Sequence, residues 1–590
     1  MIKVVGKTNP FLVTIASESV AFNIDSFFEI IDSENENPVC RIIKTEHLSN
    51  ETVKSIEKEL APDIEKFFPD CDHLYIAKAK IENYIKKPIK SGSNVINPDF
   101  EKIKPFLINQ ELSKSLVLGE INGTDIFMDT MPDEYKSLFM VRKEGKPTIQ
   151  TSAPLLFDYK KLSEAPHIGL FGGSGSGKTF ALKVIAEELM KKHIPVILFD
   201  PHMEMDFSVP RKDIDRAFQY DFSSDFQIFT IGKDVGIDFK GLSTDELIQI
   251  LGFASDLSGA MENLLMEVHK DNKTFMSLID TLNVLKKIKE YQETRNKEKQ
   301  KLTNEEEAIW DKYGSSVPSS LTVSGLIWRI NLINRSGIFD KNIEKIKNAL
   351  FMKKVCVLRG EMKSLNILGF YLISNLYGLR KNYIDYKDID PSVPSCVPFI
   401  VAMDEAHIFC PKTEQKSPIK TILRTIAQEG RKYGVFEIMA TQRPSLLDET
   451  VVAQMSTKFI FKLSIKDDLN SVQKETDLSE EEIERLPYIN SGETFISSSI
   501  YGKTISALIR YNVTNVKAKS NPFDELDEVS LSKEEEFLIK KLPINTLKIV
   551  SLANEMSTEG KTYLSSDIIN ILNNLVKNKV IIKDGNTYKK

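Results

Sequence analysis

Cysteine is scarce and scattered. Five occur in 590 residues, at positions 40, 71, 356, 396 and 410. No two stand at CxxC spacing, which removes zinc-site and disulfide-framework readings. Cys396 and Cys410 flank an apolar run and read as small core residues. Long apolar runs are also missing: no stretch reaches the roughly 18 residues of a membrane span. The nearest, Ile367 to Leu379, is broken by Ser374, Asn375 and Gly378. The opening MIKVVGKTNPFLV lacks the apolar core and small-residue cleavage site of a signal peptide. These absences predict a cytoplasmic protein without a membrane span. There is no internal repeat and no low-complexity tract. Nor is positive charge in excess. A net charge of −6 excludes a surface coated in basic residues, but not a channel that confines them.

A chain of this length predicts two to four domains, and 41% hydrophobic residues suffice for large cores. Residues 1–150 read as mostly β. Short runs such as FLVTIA, FFEII and CRIIK are separated by Gly, Pro, Asn and Asp turns. A small β-barrel fits, with a helical insertion from Glu51 to Phe68 that Pro62 interrupts. From 151 to 520 the pattern changes to apolar strands alternating with helices: IGLF at 168–171, VILFD at 196–200, PFIVAMD at 398–404 and VFEIMAT at 435–441. This predicts an α/β core with a parallel sheet covered on both faces. A mostly helical stretch lies between Asp200 and Pro398, with an insertion at about 240–350. Its charged segment, KKIKEYQETRNKEKQKLTNEEEAIW, reads as a solvated helical hairpin; a protein-docking arm is the alternative. The tail, 521–590, reads as a small α+β region. A helix, VII, an Asp-Gly turn and a short strand resemble the end of a winged helix, a pattern other small caps share.

The strongest local signal is GGSGSGKT at 172–179. It fits G-x-x-x-x-G-K-[ST], a phosphate-binding loop for ATP. Gly172, Gly173, Ser174, Gly175, Ser176 and Gly177 supply backbone N–H groups that can curl round phosphates without Cβ clashes. Lys178 can reach the β and γ phosphates, and the Thr179 hydroxyl can ligate Mg2+. A strand leads in and an amphipathic helix leads out, so the helix N-terminus adds partial positive charge. The second signal is PFIVAMDEAH at 398–407. Asp404 at the strand tip can hold Mg2+, and Glu405 can polarise the attacking water.

Two resemblances mislead. Asp404 to His407 spells the DEAH box of two-module helicases, but no second sheet module follows, so His407 reads as incidental. LSGA at 257–260 lies too far before Asp404 to be a transporter-type signature. Gln442, after the strand VFEIMAT, can sense the γ-phosphate; a plain strand-end polar residue is the competing reading. Arg431 is read as lying just past a helix, Ile419 to Glu429, on a Gly-flanked turn. There it can act as an arginine finger on a neighbouring subunit or as a complement to the helix C-terminus. Lys412, Lys416, Lys420 and Arg424 follow the acidic tip, where a pore loop for DNA could sit; a solvated face is the alternative.

Taken in order, GGSGSGKT, DPHMEMD at 200–206, MDEAH, EGRKYG, ATQRP and LPYINSGETFI at 486–496 resemble HerA, of the HerA–FtsK branch of P-loop NTPases. The resemblance covers about 150–515 and extends to the N-terminal barrel. It implies a RecA-like P-loop NTPase core in a homohexamer, with ATP bound between subunits and double-stranded DNA in the pore. It further implies that Asp200 and Glu204, in the family's Asp-Pro-His-x-Glu stretch, lie near the nucleotide or the subunit seam; Met203 and Met205 depart from the usual residues there. Such ATPases drive DNA translocation beside a partner nuclease or other effector, in DNA end processing or anti-phage defence. A nucleotide-gated scaffold that licenses an effector is the reading from another class.

Overall fold

The computed structural model describes residues 1–49, 60–69, 71–108, 110–294, 302–390, 392–413, 417–515, 532–557, 562–577 and 580–589. The chain divides into two units, Met1–Val516 and Lys517–Lys590.

The first unit begins with six short strands: β1 (Ile2–Val5), β2 (Leu12–Ser17), β3 (Phe27–Ile30), β4 (Val39–Ser49), β5 (His73–Ile81) and β6 (Val95–Ile96). They form one antiparallel sheet in the order β1-β2-β5-β4-β3-β6. The sheet nearly closes, because Lys3 bridges Asn94 and the Val4 amide donates to Ser93 O at 3.0 Å. Apolar residues of alternate register, among them Val13, Ile15, Ile42, Ala77 and Ala79, fill the interior. Of the helix expected at 51–68, residues 51–59 lie outside the described residues. The remainder, Ala61–Phe67, is helical, and Pro62 stands in its first turn rather than interrupting it. A proline is tolerated there because that N–H has no intrahelical acceptor.

The next strands, β7 (Ser115–Ile121), β8 (Met140–Lys143), β9 (Lys146–Ile149) and β10 (Pro154–Asp158), precede the phosphate-binding loop. β7 and β10 join the large sheet rather than the near-barrel. That sheet continues with β11 (Ile168–Phe171), β12 (Val196–Phe199), β13 (Phe226–Thr230), β14 (Val355–Arg359), β15 (Phe399–Met403), β16 (Val435–Thr441), β17 (Thr457–Ile460), β18 (Glu493–Ser498) and β19 (Lys503–Ile509). Its order is β10-β7-β19-β18-β17-β11-β16-β15-β12-β14-β13. From β17 to β13 every pairing is parallel. From β17 to β10 every pairing is antiparallel.

Successive residues of the central strands feed opposite cores. Ile197, Phe199, Val401 and Met403 pack on one face, and Val196, Leu198, Ile400 and Ala402 on the other. This is why the strands read as continuous apolar runs. The helix Lys178–Lys191 covers the second face through Ala181, Leu182, Ile185 and Leu189. The helices Met362–Tyr386 and Pro418–Tyr433 cover the first, together with the insertion helices between Thr244 and Phe351.

β13 and β14 lie inside the stretch read as helical. FQIFT and VCVLR are short apolar runs that periodicity alone does not separate from buried helix. Of the charged hairpin, the helices Phe275–Glu293 and Asn304–Tyr313 are joined by a Lys287–Glu306 ion pair of 2.6 Å. Residues 295–301 lie outside the described residues.

The second unit is described from residue 532. The helices Lys533–Lys540, Ile549–Met556 and Ser565–Lys577 pack around Leu538, Leu552, Ile568, Leu572 and Tyr588. A three-stranded antiparallel sheet pairs Ile544–Asn545 with Thr587–Lys589, which forms a hairpin with Ile582–Asp584. Among the described residues, no helix is long and apolar enough to cross a membrane.

Candidate functional site

The site stands at the C-terminal tips of β11, β15 and β16, where an open parallel sheet places its ligands. The loop after β11 turns through Gly175 at φ +70° and Gly177 at φ +105°. A Cβ on Gly177 would lie 2.9 Å from the Gly492 amide nitrogen, so only glycine fits there. The contact is reciprocal: Gly492 N–H donates to Ser176 O at 3.0 Å, and Ser491 Oγ donates to Gly175 O at 2.9 Å. The LPYINSGETFI segment, noted in the sequence without a role, therefore braces the loop from behind. On the other side Gly173 N–H donates to Lys462 O at 2.8 Å.

Lys178 is buried at the start of its helix, and its Nζ spans the loop to Gly173 O at 2.9 Å. Burial lowers its pKa, against the pull of the Glu405 and Asp404 charges. Thr179 Oγ1 donates to Asp404 Oδ2 at 3.1 Å, so the two expected Mg2+ ligands meet across the strand tips. Burial, and then the adjoining Glu405 charge, push Asp404 up to about 6. A cation held between Thr179 and Asp404 would relieve that repulsion. Ser176 Oγ is buried without a hydrogen-bond partner. A glycine cradle, an unsatisfied hydroxyl, one buried ammonium and a hydroxyl–carboxylate pair of hard oxygens fit a Mg2+-bound nucleotide phosphate.

Glu405 occupies the left-handed region at φ +52°, rare for a non-glycine residue and a common mark of a functional constraint. Its own N–H donates to Asp404 Oδ1 at 3.0 Å. Gln442 Nε2 donates to Glu405 Oε1, while Glu405 Oε2 is buried and without a hydrogen bond. Gln442 therefore reaches the acidic tip from the neighbouring strand. His407, read as incidental, stands between Thr441 and Glu405: its Nδ1 lies 2.9 Å from Thr441 Oγ1 and 3.4 Å from Glu405 Oε2.

Other sequence readings meet a different geometry. The helix expected to end at Glu429 runs to Tyr433, and Gly434 caps it in the left-handed conformation. Arg431 lies in the last helical turn rather than beyond it and is exposed; its carbonyl accepts from the Gly434 N–H at 3.2 Å, and its side chain makes no hydrogen bond or ion pair among the described residues. Asp200 is locked: its oxygens accept from the Glu204 and Met205 amides at 2.9 and 3.1 Å and from Arg359 Nε at 2.9 Å. This shapes the turn that holds Glu204 and leaves Asp200 as a structural anchor of β12 to β14. The basic candidates are already paired. Lys412 bridges Glu449 at 2.7 Å, Lys420 bridges Asp448 at 3.2 Å, and Arg424 contacts Asp448 at 3.7 Å and Thr450 at 3.3 Å. Lys416 lies outside the described residues.

Residues 143–353 match the family described as Helicase HerA, central domain, a stretch that holds the phosphate-binding loop and ends before Asp404. The chain is 25% identical over 498 residues to the DNA double-strand break repair helicase HerA of Pyrococcus furiosus, covering 75% of this chain and 86% of that protein. It is 24% identical over 383 residues to the protein of the same name from Sulfurisphaera tokodaii, covering 62% and 69%. Among solved structures, VirB4 of Thermoanaerobacter pseudethanolicus superposes with a TM-score of 0.40 at 14% identity, over 64% of this chain and 97% of that one. The motifs in order, the relatives found and the geometry of the phosphate-binding loop make this chain a P-loop ATPase, similar over residues 143–353 to the HerA central domain.

Proposed function

We propose that the chain is an ATP-driven DNA translocase that works as a homohexameric ring beside a partner nuclease or other effector. The observation that carries this reading is the pairing of Thr179 with Asp404 next to a Glu405 whose Oε2 is free of hydrogen bonds. That arrangement is built for repeated hydrolysis rather than for static binding. The similar proteins are helicases named for DNA double-strand break repair.

In this mechanism the glycine loop and Lys178 hold the β and γ phosphates, and Thr179 and Asp404 hold Mg2+. The metal, when bound, neutralises charge on the phosphoryl oxygens. Glu405 Oε2 accepts from the attacking water, and Gln442 holds the carboxylate through Oε1 while facing the γ-phosphate. Arg431, whose exposed side chain is unpaired among the described residues, serves the nucleotide of the next subunit. The test has two arms. Duplex DNA should stimulate ATP turnover, and the ring should displace a triplex-forming strand from a duplex in an ATP-dependent way. ATP turnover that duplex DNA leaves unchanged, with no strand displacement, would overturn translocation.

A second reading, a nucleotide-gated scaffold that licenses an effector, is favoured by one observation. Lys412, Lys420 and Arg424 are engaged by Glu449 and Asp448, which leaves them poor phosphate contacts. Under that reading the effector's activity follows ATP binding and is indifferent to DNA length.

A further inference from the structure

Thr441 ends β16 with its side chain buried. Its Oγ1 accepts the Arg443 N–H at 3.1 Å and meets His407 Nδ1 at 2.9 Å. A backbone amide already supplies a proton to this oxygen, and the hydroxyl has one proton of its own to place. Donating it to Nδ1 satisfies both groups and puts the ring's proton on Nε2. Burial, against the pull of the Glu405 charge, holds His407 below its ordinary pKa and so favours the neutral ring. Nδ1 then carries a lone pair, 3.4 Å from Glu405 Oε2, and no hydrogen bond forms between them.

The alternative tautomer would behave differently. A proton on Nδ1 would turn to the nearby carboxylate, a stronger acceptor than a hydroxyl. Glu405 would then have Gln442 on Oε1 and His407 on Oε2, and both oxygens would be weaker bases toward water. We propose that Thr441 is a positioning residue for hydrolysis: its hydroxyl pins the His407 ring with a bare Nδ1, which keeps Glu405 Oε2 open to the attacking water. This rests on the reading of Glu405 as the group that polarises water.

The experiment uses the full chain, with steady-state turnover and the dissociation constant of a fluorescent ATP analogue measured together. Thr441→Val keeps the shape and removes the hydroxyl. Turnover should fall about tenfold, a partial loss of the roughly 10²–10⁴ that a general base contributes, with affinity for the analogue unchanged within about twofold. Thr441→Ser should retain turnover. His407→Leu alone should cost no more than about threefold. Added to Thr441→Val it should restore at least about threefold, because the misdirected donor is gone; a structural defect would instead deepen or add.

Wild-type turnover in Thr441→Val, or a double variant no faster than Thr441→Val, overturns the inference. If Thr441→Val no longer binds the analogue, the other two variants decide: Thr441→Ser failing, or His407→Leu alone losing about a hundredfold, overturns it equally. Glu405→Gln separates the levels. Full turnover there sinks the reading beneath; slow turnover there with an unaffected Thr441→Val sinks only the role of Thr441.

Discussion

Removing the Arg41 guanidinium should cost the first unit about 3–5 kcal/mol, the range for a buried ion pair stripped of one partner. The Arg41 side chain is 2% exposed and holds three carboxylates: Asp25 at 3.1 Å, Glu82 at 3.1 Å and Glu482 at 2.6 Å. The loss does not triple, because two of the three keep another cation. Asp25 retains Arg485 at 2.8 Å and Ser506 at 2.9 Å, and Glu82 retains Lys503 at 3.0 Å. Among the described residues Glu482 keeps only the Ser479 backbone amide, at 2.9 Å, so one buried charge is stranded. Arg41→Lys should recover little, since one ammonium cannot replace a three-way fork. Urea unfolding of Arg41→Ala checks the figure. A loss under about 1 kcal/mol, the range of an exposed pair, would mean that water reaches these carboxylates, and the argument would fail. The network also has a sign in pH. Burial raises the Asp25 and Glu82 pKa values, but their cations more than offset it, and both stand below the ordinary range. Groups depressed on folding contribute stability above their unfolded pKa and lose it as pH falls through the folded one. Wild type should therefore lose stability below about pH 4, and Arg41→Ala should lose less over that window.

Three further outcomes test the site. Lys178→Ala should abolish tight ATP binding, measured by equilibrium titration, because the loop loses its buried cation. Glu405→Gln should bind ATP at near wild-type affinity and hydrolyse it at least about a hundredfold more slowly; wild-type turnover would refute its role. Arg431→Ala should slow hydrolysis far more than it weakens binding, by up to about 10³–10⁵ if it acts as a finger. Near-normal turnover in that variant would leave Arg431 with only a helix-end role.

What the sequence made legible is what local chemistry decides. The four strands read from IGLF, VILFD, PFIVAMD and VFEIMAT are β11, β12, β15 and β16, because a strand buried on both faces must be apolar throughout. The phosphate-binding loop was legible for a similar reason: its glycines are demanded by backbone geometry within eight residues. β13 and β14 were not legible. Their runs are short, and only pairing with β12 and with each other tells strand from helix. The reading of Arg431 on a turn failed through Gly430. A glycine in mid-sequence suggested a break, but it lies within the helix, where a Cβ would come within 2.4 Å of Val435 O. The true stop is Gly434, in the left-handed conformation that ends helices.

The rest of the site depends on residues that are far apart in sequence and adjacent only after folding. Asp200 meets Arg359 across 159 positions, Ser491 meets Gly175 across 316, and Arg41 meets Glu482 across 441. No spacing rule could have paired them, yet they join the near-barrel to the nucleotide loop in a few steps. Arg41 and Asp25 hold Glu482 and Arg485, the helix Glu480–Arg485 runs into the segment that follows it, and Gly492 donates to Ser176 O. This chain of contacts gives a change in the near-barrel that moves Asp25 a route to the backbone of the phosphate-binding loop. Arg41→Ala should accordingly weaken affinity for the fluorescent ATP analogue as well as stability. If the variant unfolds more readily but binds the analogue as wild type does at low temperature, the near-barrel is held by this network without being coupled to the nucleotide.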